Sequence, residues 1–219
     1  MASHPIYRIY SKLEDTDLKI WRRFEVMDNI TVARLAYIIM TMYEMQASHL
    51  FAFERTDIHD NIHLSKPIVF TYELPSEEND DPYTIDATSV SIRSFFGNSN
   101  TRRSFLYDFG EGWEISLVCE EIICDAGLPG KMLPRVIDGE GYGIIEDCGG
   151  TTGLEEFAAN FSNEAKATIG TDLNPFAFDK EDMNFRLQKV PRIYRDIYEY
   201  QLEPTAQSMK ILERKYKLK

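Results

Sequence analysis

The chain has 219 residues and a formal net charge of −12 at pH 7, which disfavours binding to nucleic acid because that binding depends on basic residues that neutralise phosphates. A hydrophobic fraction of 43%, with 13 Phe and 12 Tyr, is typical of a folded protein and excludes a chain that is disordered throughout. Three cysteines make no disulfide framework, and no apolar run reaches the ~20 residues of a membrane span. With no signal peptide visible, we expect a cytoplasmic protein without membrane association.

The first half of the chain alternates strand and helix patterns. Apolar residues at every second position predict four strands, at residues 6–13, 18–26, 50–55 and 68–74. Apolar residues at spacings of three and four predict a helix from Val32 to Tyr43, which Asp28, Asn29 or Thr31 could cap. A short helix is predicted over residues 89–96.

Arg22 is the unusual residue of the second strand. It shares a face with Ile20 and Phe24, whereas Trp21 and Arg23 lie on the opposite face. A guanidinium among apolar residues needs a carboxylate or carbonyl oxygens to satisfy it. We therefore favour a structural ion pair for Arg22 over contact with a ligand.

Residues 107–117 predict a hairpin around which the rest of the fold is organised. Asp108 is followed by Gly110 and Gly112, residue types that favour a tight reversal between two strands. The strand before the turn covers residues 104–107. In the strand after it, alternate residues share the apolar face, namely Trp113, Ile115, Leu117 and Cys119. The prediction is a core hairpin with an acidic tip.

The second half of the chain is less regular. Residues 133–153 are rich in glycine and carry four acids (Asp138, Glu140, Glu146 and Asp147), which is typical of an organised or functional loop. Thr152 and Glu155 match a capping box that would start a helix. Asp179 is expected to cap another helix, with Phe178 and Met183 as its hydrophobic staple and an end at Pro191, and a last helix is predicted over residues 205–219.

These elements predict an α+β fold, a single domain whose mixed or antiparallel sheet is built on the central hairpin and packed by several helices. We assign residues 1–190 to this domain and residues 191–219 to a C-terminal helical extension. The extension carries seven Lys and Arg against four Asp and Glu, so its end is basic.

Three functional classes fit the residues, and the first is an interaction or regulatory module with a protein partner. Its binding surface would use aromatic and charged residues, namely Trp21, Arg22, Arg23, Glu111, Trp113, Asp138 and Glu140. The second is an enzyme with Cys148 as nucleophile and with Asp147, Glu146, Asp108, Glu111 or Asp138 as acid or base. The third is nucleic-acid binding through Arg22, Arg23, Arg102, Arg103 and the basic tail. The oligomeric state stays open.

We expect neither a cofactor nor a metal site. His59 and His63 are four residues apart and could share a helix face, but no third ligand lies near them in the sequence. A polar loop is the preferred interpretation of this segment.

Five sequence blocks resemble the plasmid Ri ORF-three-like family, which also includes insertion-element passenger proteins called "TnpR". The blocks are residues 20–23, 48–53, 107–113, 138–140 with 146–150, and 174–179. The resemblance covers roughly residues 5 to 189 and implies a single α+β domain that is often carried by mobile elements. It implies no particular reaction, and no serine- or tyrosine-recombinase constellation accompanies the "TnpR" label in this chain.

The chain departs from the family pattern at two positions. Relatives often have a histidine two residues after the hairpin tryptophan and a cysteine five residues before Cys148, where this chain has Ile115 and Gly143. A single remaining thiolate does not hold a structural zinc. The resemblance therefore implies that this chain binds no zinc through that site.

Overall fold

The computed structural model describes residues 4–57, 68–76, 81–124, 128–161 and 174–212. The histidine pair His59 and His63, for which a loop was preferred to a metal site, lies outside these residues. The last part of the basic tail, residues 213–219, also lies outside them.

The described residues form one eight-stranded sheet. Its strands are β1 (Ile6–Leu13), β2 (Trp21–Met27), β3 (Phe51–Asp57), β4 (Ile68–Glu73), β5 (Thr84–Asp86), β6 (Arg102–Tyr107), β7 (Trp113–Ile123) and β8 (Arg135–Glu140). The strand order is β5-β4-β3-β6-β7-β1-β2-β8. Neighbouring strands are antiparallel except β4 and β5, which are parallel. The predicted α+β class with a mixed sheet in a single domain is therefore confirmed.

Six helices occur in the described part of the chain: α1 (Val32–Met42), α2 (Ile92–Phe96), α3 (Gly150–Ala159), α4 (Lys180–Leu187), α5 (Val190–Tyr198) and α6 (Ala206–Leu212). α1 is the central helix, because nearly all of its side chains are buried and both α4 and α5 pack against it. Of its three candidate caps the structure uses Thr31, whose hydroxyl accepts the backbone N–H of Arg34 at 3.1 Å.

The hairpin has the predicted alternation. Trp113, Ile115, Leu117 and Cys119 are completely buried, whereas the residues between them are half-exposed. Burying each large apolar side chain contributes about 1.5–3 kcal/mol, so this face of β7 is a major part of the hydrophobic core. β7 pairs with β1 as well as with β6, and the hairpin therefore lies at the centre of the sheet.

Two predicted helix boundaries need correction. α3 begins at Gly150, two residues before the predicted capping box, and the Glu155 carboxylate accepts bonds from Thr16 Oγ1 at 2.7 Å and Asp17 N at 2.8 Å instead. Pro191 does not end the helix that Asp179 caps, because that helix ends at Leu187 and Pro191 lies in the first turn of α5. Proline is tolerated there since a first-turn N–H has no partner within the helix.

The proposed division at residue 190 stays a prediction. The boundary falls at the start of α5, whose Val190, Ile193 and Tyr194 are buried.

Asp179 caps α4 as predicted, accepting the N–H of Asp182 at 2.9 Å.

Candidate functional site

Arg22 connects the sheet to the loop that carries most of the candidate residues. All five of its N–H donors point at carbonyl oxygens, at 2.7–3.2 Å, on Trp21, Met42, Glu140, Gly141 and Tyr142. Gly139 leaves room for Arg22, because a side chain at residue 139 would lie 2.9 Å from Arg22 Cδ. Arg22 is fully buried. Arg22 therefore has the expected structural role, and the partners that the structure shows are carbonyl oxygens. Its assignment to a ligand or nucleic-acid surface is corrected, because the guanidinium does not reach solvent.

Trp113 and Glu111 form a second internal connection. Trp113 is also fully buried, so its assignment to a binding surface is corrected, and its indole N–H donates to Glu111 Oε2 at 3.0 Å. The other Glu111 oxygen accepts the backbone N–H groups of Gly149 and Gly150 at 2.7 and 3.2 Å. These groups open α3, where a carboxylate is stabilised by the helix dipole. Glu111 thus caps α3 from the hairpin tip.

Asp108 shapes the tip itself. It has a positive φ of 52°, and its Oδ1 accepts the N–H groups of Gly110 and Glu111 at 3.1 and 3.4 Å. His49 Nδ1 lies 3.6 Å from the same oxygen. The carboxylate therefore fixes the turn backbone, with an imidazole beside it.

Glu146 connects the loop to the start of β3. It accepts bonds from Tyr107 Oη at 2.6 Å, from Gln46 N at 2.7 Å and from Ser48 Oγ at 2.7 Å. Burial raises the pKa of the Tyr107 phenol, and the bond to Glu146 raises it further. Tyr107 therefore stays protonated and serves as a donor.

Cys148 does not have the environment of an activated thiolate. Its thiol is half-buried and donates to the Gly150 carbonyl at 3.5 Å. Burial raises the pKa of the Cys148 thiol, and the nearby Glu111 carboxylate adds to the effect. A nucleophilic cysteine needs a lowered pKa, which positive neighbours provide. The adjacent Asp147 is exposed and has a positive φ of 59°.

The two positions that depart from the family pattern are both closely packed. Ile115 is fully buried in the core. Gly143 has a φ of 146°, and a side chain there would lie 2.5 Å from the Tyr43 carbonyl oxygen. Within the described ranges no group of three or more His, Cys, Asp or Glu residues is arranged to hold a metal ion. The absence of zinc from this site stays a prediction.

The other candidate cations are largely engaged within the protein. Arg23 forms a bidentate pair with Glu120 at 2.7 and 2.9 Å, and Arg103 donates to the Phe95 carbonyl at 2.7 and 3.0 Å. Arg102 is exposed. On β2, the Trp21 indole donates to Glu140 at 3.2 Å, and the neighbouring Asp138 on β8 is exposed.

Glu44 and Glu146 both line a groove of about 630 Å³, which we call the Glu44 groove. Its walls come from the loop at residues 142–146, from α5 and from α6. About half of the lining is apolar and comes from side chains that include Met45, Ile144, Ile145, Ile197, Met209 and Leu212. The polar part comes from Glu44, Gln46, Glu146 and Arg186. The volume lies within the range of ligand pockets, ~300–1,000 Å³, which combine apolar surface with a small number of polar groups.

A buried ion pair lies in the wall of the Glu44 groove. Glu44 and Arg186 are in contact, with only 6% and 4% of their side chains exposed. Burial raises the pKa of Glu44, while Arg186 opposes the rise. Glu44 also has a positive φ of 61°, which is uncommon outside glycine and recurs at functional sites. Sequence reasoning missed this pair, because 142 positions separate the two residues and no local pattern connects them.

Comparisons with known proteins place the chain among relatives whose names state no activity. A family model described as "Plasmid pRiA4b ORF-3-like protein" matches residues 5–186. "Uncharacterized protein y4hQ" of Sinorhizobium fredii is 30% identical over 162 residues, which are 73% of this chain and 75% of that protein. The crystal structure of a protein of unknown function, MM3350 from Methanosarcina mazei Go1, has the same fold. Its TM-score is 0.65 at 22% identity, over 82% of this chain and 97% of that one.

No helix in the described ranges is long and apolar enough to cross a membrane.

Proposed function

This chain belongs to the plasmid pRiA4b ORF-3-like family, and we propose that it is a cytoplasmic interaction module, carried by mobile elements, that binds a segment of a partner protein. The observation that supports the proposal is the Glu44 groove, which combines an apolar lining with a small set of buried charged groups. The surroundings of Cys148 among the described residues, where burial and the Glu111 carboxylate raise the pKa of the thiol, favour this function over an enzyme that uses this cysteine.

The charges of the groove indicate which segment would bind. Arg186 is compensated by its contact with Glu44, so the Glu146 carboxylate leaves the lining with a negative charge. The whole chain is also acidic, at −12. Complementary charge favours a partner that is basic. We therefore propose a short aliphatic segment that carries a Lys or Arg beside its apolar residues.

Two observations weigh against the other functional classes. The raised pKa of Cys148 opposes its use as a nucleophile, because the thiolate is the reactive form. Arg22 is buried, and Arg23 and Arg103 are engaged with protein acceptors, which opposes a nucleic-acid surface built on them.

Selection from a displayed library of random peptides tests the proposal directly. We expect the enriched peptides to combine aliphatic residues with Lys or Arg. Met209→Lys should weaken their binding at least about tenfold, because it removes an apolar contact from the wall and adds a repelling charge. Met209 suits the test, since it is 41% exposed and its replacement leaves the core intact.

Val69→Lys is the matched control, because Val69 is 39% exposed and lies outside the Glu44 groove. Calorimetric titration should find its affinity for the same peptides within about twofold of the parent protein. Enrichment of no peptide, or of peptides that bind the Met209→Lys variant equally well, would contradict the proposal. The charge argument would be contradicted if the peptides that lose binding to the Met209→Lys variant carried Asp and Glu instead of Lys and Arg.

A further inference from the structure

A second groove, of about 610 Å³, lies at the edge of the sheet between β8 and α4, and we call it the Lys131 groove. Its charged lining residues are Lys131, Arg135 and Lys180, all of which are cations. Its lining also includes the exposed Met132, the half-buried Ile137 and the buried Val136. A groove whose charged residues are all cations is unexpected on a chain with a net charge of −12.

The side chain of one α4 residue holds the edge of β8 that lines the groove. Asn184 accepts the Val136 N–H at 2.8 Å and donates to the Val136 carbonyl at 3.0 Å, so its amide takes the position of a neighbouring strand. Gln188, one turn further along the helix, donates to the Pro134 carbonyl at 3.2 Å. These bonds occupy the edge of β8 at Val136, so a ligand there would be recognised by side chains and not by strand addition.

The cations at the rim are placed to contact a ligand. Lys131 and Lys180 are exposed, and 37% of the Arg135 side chain is exposed although it pairs with the buried Glu25. Met132 beside them is 46% exposed and offers an apolar contact. The groove therefore presents two forms of recognition together, positive charge at its rim and apolar surface within it.

We infer that the Lys131 groove binds an acidic peptide segment of a partner protein, with carboxylates at Lys131 and Lys180 and an apolar side chain against Met132. Charge complementarity selects carboxylates. The apolar side chains of Met132 and Ile137 favour a peptide over a nucleic-acid backbone, which presents phosphates without apolar side chains. This surface is separate from the Glu44 groove, and the inference does not depend on the function proposed for that groove.

Fluorescence anisotropy with a labelled peptide tests the inference. The probe is a twelve-residue peptide in which Asp and Glu flank Leu and Phe, and its control carries Asn and Gln in place of the acids. We expect the acidic peptide to bind and its affinity to fall as salt is added, because exposed charges are screened. Lys131→Glu combined with Lys180→Glu should weaken binding about tenfold or more, since both contacts become repulsive.

The matched control combines Lys19→Glu with Arg102→Glu, which changes the net charge equally at exposed positions outside the groove. It should bind the acidic peptide within about threefold of the parent protein, because only the long-range field has changed. Equal loss in both double variants would overturn the inference, as would equal binding of the neutral peptide. Tighter binding of a single-stranded oligonucleotide of the same charge would also overturn it, in favour of a phosphate ligand.

Discussion

Arg22 offers the sharpest test of how this fold is held together. Its guanidinium donates five hydrogen bonds to carbonyl oxygens of β2, the last residue of α1, the last residue of β8 and the two residues that follow β8. The ring of Phe178 lies 4.4 Å from the guanidinium carbon. Replacing Arg22 with methionine keeps an unbranched side chain but removes every donor.

The expected loss of stability follows from those bonds. Three of the five bonds are buried and two are part-buried, so about three acceptors would lose their partner without gaining water. Each unsatisfied buried acceptor costs about 1–3 kcal/mol, and release of the guanidinium from burial returns part of that cost. We expect Arg22→Met to lower the free energy of unfolding by about 3–5 kcal/mol, a large fraction of the ~5–15 kcal/mol typical of a domain.

Urea unfolding followed by tryptophan fluorescence and circular dichroism measures this loss. Arg22→Lys should fall between the parent protein and Arg22→Met, because an ammonium has three donors for five acceptors. Arg23→Met is the control, since its partner Glu120 is part-exposed and such pairs contribute about 0–1 kcal/mol. A loss below ~1 kcal/mol for Arg22→Met, or full stability of Arg22→Lys, would refute this account of the interior.

Three further predictions concern the region around the hairpin tip. Cys148 should react with a disulfide reagent near neutral pH more slowly than the exposed Cys124, because its pKa is raised; faster reaction of Cys148 would revive the enzyme hypothesis. Glu111→Gln should cost about 1 kcal/mol in urea unfolding, because one neutral amide replaces the charged cap of α3, and an unchanged midpoint would count against the cap. The pKa of Glu155 is lowered from its usual 4.5 by the bonds from Asp17 and Thr16, so its contribution is present above pH 4.5 and lost as pH falls. The melting temperature of Glu155→Gln should therefore be lower than that of the parent protein at neutral pH, and the two melting temperatures should agree in acid. A difference that persists in acid would contradict this prediction.

The sequence predicted the regular elements best where one physical rule acts locally. The apolar spacing of α1 and the strict alternation after Trp113 are set by packing on one face, and both elements occur where expected. Thr31 and Asp179 cap their helices through bonds to residues only three positions away. Such short-range patterns need no knowledge of the fold.

The prediction was wrong where a distant residue replaced a local signal. The Thr152 capping box is unused, because Glu111, 38 positions before Gly149, already satisfies the first N–H groups of α3. Proline at residue 191 was interpreted as a stop, yet the chain turns before it and starts another helix. The sequence also failed to predict the pair of Glu44 with Arg186, because only the folded chain brings these two residues together.

The position of β1 in the sheet has a consequence for synthesis. This strand begins at the sixth residue, yet it lies between β2 and β7, and β7 ends at Ile123. A ribosome adds about 5–20 residues per second, so β7 is synthesised roughly a hundred residues, or on the order of ten seconds, after β1. Until then one edge of β1 has no partner in the nascent chain, and an unpaired strand edge is a site of non-native pairing.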